Sequence, residues 1–376
     1  MNITSDIHLH IVSFDIPYPA NYGGVIDVFF RIKSLAERGV KIHLHCFEYG
    51  REHSEYLEKF CYSVNYYQRE MKITHLFNNL PYIVCSRHSK ELCDNLKKDD
   101  YPILLEGLHC CSVLLDEEFQ KRNVLVRAHN VEHEYYEHLN KAEKDVKKKI
   151  YLRNEVSKLE KFESILHKAK AVLAISQKDY EHFAEKYNNV YKLTAYNAYT
   201  EVDIIEGVGD YVLYHGNLSV AENYTAAEFL INVFKTTNFR FIIAGMNPPE
   251  YLQKMIENID NIELIDSPDD KTLYDLIRNA QINILVTAQA TGLKLKLLNT
   301  LFNGRYCLVN NKMVEGLDIT GLCYEVNDAN SIRFAVKELI DKPFDSHQVE
   351  RRRMNMRRFY DIEEATDLLL KLITEN

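Results

Sequence analysis

The sequence predicts an α/β chain built from two Rossmann-like, doubly wound parallel-sheet domains. Three observations carry this expectation. Short apolar runs rich in β-branched residues alternate with amphipathic runs of helical length from one end to the other. The alternation pauses once, near residue 200. The 376 residues are 46% hydrophobic and 27% charged, enough for two full cores and unlike a disordered chain.

The first series of strand-like runs is "IHLHIVSF" (7–14), "VKIHLHCF" (40–47), "PILLE" (102–106), "NVLVRA" (123–128) and "AVLAIS" (171–176). Between the first two lies "VIDVFFRIKSLAERG" (25–39), with apolar residues at helical spacing and a glycine stop. The segment 140–171 reads as one long helix with a basic, solvated start. The polar stretch "YNAYTEVDIIEGVGD" (196–210) interrupts the pattern. A second series follows: "YVLYHG" (211–216), "FRFIIAG" (239–245), "NIELI" (261–265), "INILV" (282–286) and "RYCLVN" (305–310). The expected organisation is a first domain over 1–200, a second domain over 201–358, and a last helix over 359–376 returning to the first. Strand–helix alternation requires parallel strands with helices on both faces. In such sheets ligands bind beyond the carboxyl ends of the strands, here in the cleft expected where two domains face each other.

A net charge of −9 argues against a nucleic-acid partner. No apolar run is long enough to span a bilayer, and the N-terminal residues lack a charged region and cleavage site. The eight cysteines contain no C-x-x-C pair and several lie in apolar runs, which reads as a reduced, cytoplasmic set. The 25 tyrosines and absent tryptophan carry no functional message.

The strand-to-helix loops hold the candidate chemistry. Gly23 and Gly24 permit close backbone approach where the first helix begins. The run is not G-x-G-x-x-G, so no dinucleotide cofactor is expected. Glu106 and His109 lie at one strand end, and Arg127, His129, Asn130, Glu132 and His133 at the next. His129 and His133 are four apart, but Asn130 reads as a helix N-cap that leaves His129 outside the helix, so no metal site is expected. Gly216 and Gly245 end two strands of the second domain. In "QATGLKLKLLNTLFNGRYCLV" (289–309), Lys294 and Lys296 stand where a helix begins. Positive charge there opposes the helix dipole, unless an anion sits on it.

Taken together, "SFDIPYPANYGG", "RIKSLAERGVKIHL", "RAHNVEHEYYEHL", "AVLAISQKDY", "YHGNLSVAENYTAAEFL", "FIIAG" and "TGLKLKLLNTLFNGRYCLVN" resemble the retaining, family-four-like glycosyltransferases of bacteria, which have the GT-B fold. The resemblance covers nearly the whole chain. It implies hexosyl transfer with retention from a nucleotide diphosphate sugar to a glycan or lipid-linked acceptor, in cell-surface polysaccharide biosynthesis. It further implies a cytoplasmic location with peripheral contact at the inner face of the membrane. His129 matches the family's active-site histidine. Gly23, Gly24, Gly216, Asn217, Gly245, Thr291, Gly292, Lys294, Lys296 and Asn299 are the implied donor-side residues. Glu106, His109, Arg127 and Asn130 are assigned to the acceptor side. In the mechanism this implies, the donor's own phosphate helps deprotonate the acceptor hydroxyl and a lysine neutralises the leaving diphosphate. No protein nucleophile, metal or cofactor is required.

The chain departs from the family pattern on the donor side. Asn299 stands where a glutamate usually holds the ribose, and Thr291 stands where a more distant paired glutamate would fall. Asn217 and Glu222 replace the usual arginine and lysine, and "GRYCLV" replaces "GRPVV". These departures raise a second reading, a catalytically impaired homologue that serves as a binding partner. A third, a nucleotide-sugar epimerase, would want more acid–base groups in the cleft.

Overall fold

The computed structural model describes residues 6–143, 145–288, 295–315, 317 and 321–375. The chain divides into two units, Met1–Ala198 with Ile362–Asn376, and Tyr199–Asp361.

The first unit is a seven-stranded parallel sheet: β1 (His8–Ser13), β2 (Lys41–Glu48), β3 (Ser63–Gln68), β4 (Ile103–Glu106), β5 (Val124–Ala128), β6 (Ala171–Ala174) and β7 (Val190–Lys192), in the order β3-β2-β1-β4-β5-β6-β7. Every residue of β4, β5 and β6 is buried, which is why these strands read as unbroken apolar runs. The winding direction reverses between β1 and β4, so the crevice of this sheet opens over the loops after those two strands. The helix Gly23–Glu37 follows β1 and ends before Gly39, whose φ of +80° only glycine adopts without strain. The C-terminal helix Ile362–Thr374 packs on it: Ser34 and Thr366 hydroxyls meet at 2.8 Å, and Arg38 pairs with Glu363 and Asp367.

Two expectations are corrected. The long helix read over 140–171 is two pieces, Glu132–Ala142 and Val146–Phe162, followed by a 3₁₀ stretch over Glu163–Lys168. The second piece starts at Asp145, whose side chain accepts from Lys148 N at 2.9 Å. Asn130 does not cap the helix after β5. That helix opens at Glu132 with Val131 at the cap position and no side-chain cap.

One face of β1 and β2 carries a hydrogen-bonded chain of histidines. Asp99 Oδ1 accepts from His10 Nε2 at 2.9 Å. His10 Nδ1 must then accept from His45 Nε2, also 2.9 Å away, and His45 Nδ1 from the Tyr67 hydroxyl at 2.8 Å. Each neutral ring donates once and accepts once, so an added proton has no acceptor. Burial lowers His45 to about 3, with His10 and His43 adding repulsion, and burial lowers His10 despite Asp99. The unfolded chain therefore takes up protons near pH 6.5 that the folded chain refuses. Stability is full above that pH and is expected to fall as pH drops from about 6.5 toward 3, by up to about 1.4 kcal/mol per pH unit per histidine. Urea unfolding of wild type and His45→Gln, which keeps a donor and an acceptor but does not titrate, should differ in slope across that window. Parallel profiles would remove the ladder as the cause.

The second unit is a six-stranded parallel sheet: β8 (Val212–His215), β9 (Phe241–Gly245), β10 (Ile262–Asp266), β11 (Ile282–Leu285), β12 (Tyr306–Val309) and β13 (Tyr324–Glu325), in the order β10-β9-β8-β11-β12-β13. Its winding reverses between β8 and β11, so ligand-binding loops are those after β8 and β11. Phe234 and Phe241 stack at 4.4 Å between the helix Ala221–Phe234 and β9. Among the described residues no helix is long and apolar enough to cross a membrane.

Candidate active site

In the first unit the polar residues at the strand ends close into a buried ion network. The helix Gly23–Glu37 turns Asp27 and Arg31, four residues apart, inward toward the sheet. Arg31 Nη1 donates to Asp27 Oδ2 at 2.9 Å, and its Nη2 donates to Glu106 Oε1. Arg127 grips Asp27 with Nε at 3.1 Å and Nη2 at 3.2 Å, and also donates to the carbonyls of Leu193 and Thr194. Burial alone would raise the Asp27 carboxyl, but the Arg127 and Arg31 guanidiniums hold it well below the usual carboxylate range.

His129 sits on this network. Its Nε2 lies 2.9 Å from Glu106 Oε2, which fixes the proton on that nitrogen. Its Nδ1 lies 3.9 Å from Asp27, and the Phe14 ring packs edge-on at 5.4 Å. Asp27, Glu106 and His129 bring three ligand-type atoms within 4.8 Å of one another. Two guanidiniums already neutralise their charge, so this is an ion network rather than a cation cage.

The predicted residues separate by exposure. Glu106 and Arg127 are completely buried and present no group to a bound molecule, whereas His129, His109 and Asn130 are partly exposed. A Cβ at Gly24 would lie 2.7 Å from the Phe14 ring, so this glycine admits the ring that lies beside His109 and His129. His109 Nδ1 lies 3.9 Å from Glu132 Oε1, and both atoms are buried without a hydrogen-bond partner. Burial pushes the Glu132 carboxyl up to about 7. Burial and Arg87 hold His109 well below its ordinary value. Asp27 and Arg31 are the residues that sequence reasoning missed. Their signal was present: opposite charges four apart inside the apolar stripe of an amphipathic helix.

In the second unit the sites after β8 and around the helix Leu295–Asn303 converge. Lys296, on the first turn of that helix, donates to Asn223 Oδ1 at 3.1 Å and lies 5.5 Å over the Tyr214 ring. Asn223 in turn donates to the Asn217 carbonyl at 2.9 Å and packs against Gly216. A Cβ at Gly245 would lie 2.0 Å from the Gly216 carbonyl, so Gly245 is required for the β8 and β9 ends to approach. Asn217 Oδ1 accepts from Ser219 N at 3.0 Å and closes a tight turn. His215 below is buried against Thr300, and burial together with Lys296 pushes it down to about 3. Asn299 Oδ1 accepts from Asn303 Nδ2 at 2.9 Å. Thr291, Gly292 and Lys294 lie outside the described residues.

These two sheets, with their order of strands, match the GT-B fold. The chain aligns over 97% of its length with 98% of the sucrose-phosphate synthase of Thermosynechococcus elongatus at a TM-score of 0.67 and 14% identity. TarM is matched over the whole of both chains at 0.68 and 11%. The lipopolysaccharide outer core galactosyltransferase WaaB is matched over 98% and 99% at 0.63 and 13%. In sequence, an uncharacterised 44.6 kDa protein in the cps region of Klebsiella pneumoniae is 28% identical over 327 residues, covering 81% of this chain and 83% of that protein. No family model matches the chain.

Proposed function

We propose that the chain is a glycosyltransferase that moves a sugar from a nucleotide diphosphate donor to a glycan or lipid-linked acceptor, with retention and without a metal ion, in polysaccharide biosynthesis. One observation carries the reading: Gly216, Asn217, Asn223 and Lys296 converge at the switch point of the second unit. Bare backbone, a helix start and an ammonium group there suit a diphosphate. The fold shared with WaaB and the cps-region relative support the polysaccharide setting.

In this reading Lys296 offsets the charge that builds on the leaving diphosphate. A donor phosphate oxygen takes the proton of the acceptor hydroxyl as that hydroxyl attacks the same face of the sugar. His129 contacts the transferred sugar and is held by Glu106. Glu106 and Arg127 act through His129 and Asp27 rather than on the acceptor, while His109 and Asn130 remain the acceptor-side candidates. The lack of a carboxylate at Asn299, whose side-chain oxygen also accepts from Asn303, favours the alternative of a catalytically impaired homologue.

Lys296→Ala is expected to weaken nucleoside diphosphate binding by about tenfold or more, since a charged hydrogen bond contributes about 1.5–3 kcal/mol. Asn299→Glu should strengthen it. Titration calorimetry with uridine, adenosine, guanosine and thymidine diphosphates reads both. Equal affinity of Lys296→Ala and wild type would sink the phosphate assignment.

A further inference from the structure

A second cluster in the first unit is built like a cation site. His133 comes from the helix Glu132–Ala142, Glu163 from the start of the 3₁₀ stretch, and His182 from the helix Gln177–Ala184. His133 Nδ1 lies 3.2 Å from Glu163 Oε2, and His182 Nε2 lies 3.0 and 3.1 Å from the two Glu163 oxygens. All three ligand atoms fall within 4.8 Å of one another. Around a tetrahedral zinc ion, nitrogen and oxygen ligands at their usual bond lengths stand about 3.3 Å apart. The two histidine–Glu163 spacings here match that within a few tenths of an ångström.

The surroundings point the same way. His133 Nδ1 is buried and lies in ion-pair range of Glu163 Oε2, 3.2 Å away, without an aligned hydrogen bond. Glu163 is held in place by its own backbone, whose carbonyl accepts from the Tyr187 hydroxyl at 2.8 Å. The other ring nitrogen of His182 lies 3.9 Å from Glu134, beyond hydrogen-bond distance but on the side where metal-bound imidazoles commonly have a carboxylate. A positive charge already stands in the cluster: Lys186 Nζ lies 2.7 Å from Glu163 Oε1 and 3.1 Å from His182 Nε2. Lys186 lies in the turn that follows the helix of His182, and its side chain is 43% exposed, so it can swing into solvent at little cost.

We propose that His133, Glu163 and His182 bind a divalent transition-metal ion of the zinc class, with Lys186 as the resident charge that the ion displaces and water as the fourth ligand. The ion would tie two helices and the 3₁₀ stretch together, with its ligand His133 four residues beyond His129, and it is separate from sugar transfer.

The test is titration of metal-free protein with zinc by calorimetry, and with cobalt by visible absorption. The expected result is one saturable site and the intense bands of tetrahedral cobalt. His133→Ala and His182→Ala should each weaken zinc binding about tenfold or more. Lys186→Gln should tighten it, because the competing ammonium is gone; this exposed position tolerates the change without loss of fold. Weak, non-saturating uptake, or affinity unchanged in both histidine variants, would overturn the site. Affinity unchanged or weakened in Lys186→Gln would overturn the exchange of lysine for metal.

Discussion

His129→Ala should reduce sugar transfer by about a hundredfold or more, the usual cost of removing one positioned polar group at the reacting centre. It should also cost stability. The imidazole donates to Glu106 Oε2, and truncation strands a buried carboxylate oxygen, at about 1–3 kcal/mol. The conservative variant separates the two effects. His129→Gln can keep the donor to Glu106 and should recover most of the stability, but it does not restore the imidazole edge. Recovery of stability without transfer marks His129 as a catalytic residue. Recovery of both would make it a prop for Glu106 and nothing more.

The largest loss of stability is expected for Arg31→Met. The change leaves the Glu106 and Asp27 carboxylates buried with one guanidinium fewer, and breaking such a pair costs about 3–5 kcal/mol. Arg38→Ala is the internal comparison. Arg38 also pairs with two carboxylates, Glu363 and Asp367, but all three groups are exposed, so its loss should cost about 1 kcal/mol or less. Denaturant unfolding of both variants reads the difference. Equal, small losses would mean that Asp27 and Glu106 find other partners or take up protons once Arg31 is gone.

The sheets were legible where burial on both faces leaves an unbroken apolar run. "PILLE", "NVLVRA" and "INILV" are such runs, and each is an interior strand. The strands β3, β7 and β13 were not legible. They are edge strands, half-solvated, and "SVNYYQ" or "VYK" carries no run to read. The break in the supposed long helix was signalled by Asp145, a capping residue hidden among lysines.

At the site, residue type and position on the loops were legible, and exposure was not. Glu106 and Arg127 look in sequence like a pair of free polar groups at strand ends. Their burial depends on Asp27 and Arg31 arriving from a helix 75 to 100 residues earlier, a long-range pairing that no local pattern reveals. Asn217 and Asn299 were read as weakened ligands. Their side chains are engaged with Ser219 and Asn303, a local commitment seen only once the turns are formed.

The most direct measurement is release of nucleoside diphosphate from a panel of nucleotide sugars, with and without glycan and lipid-linked acceptors. The expected result is turnover of at least one donor by wild type, accelerated by an acceptor, lost in His129→Ala and unaffected by chelators. Absence of turnover across the panel, with nucleoside diphosphates still bound by wild type, would contradict catalysis and leave a binding homologue.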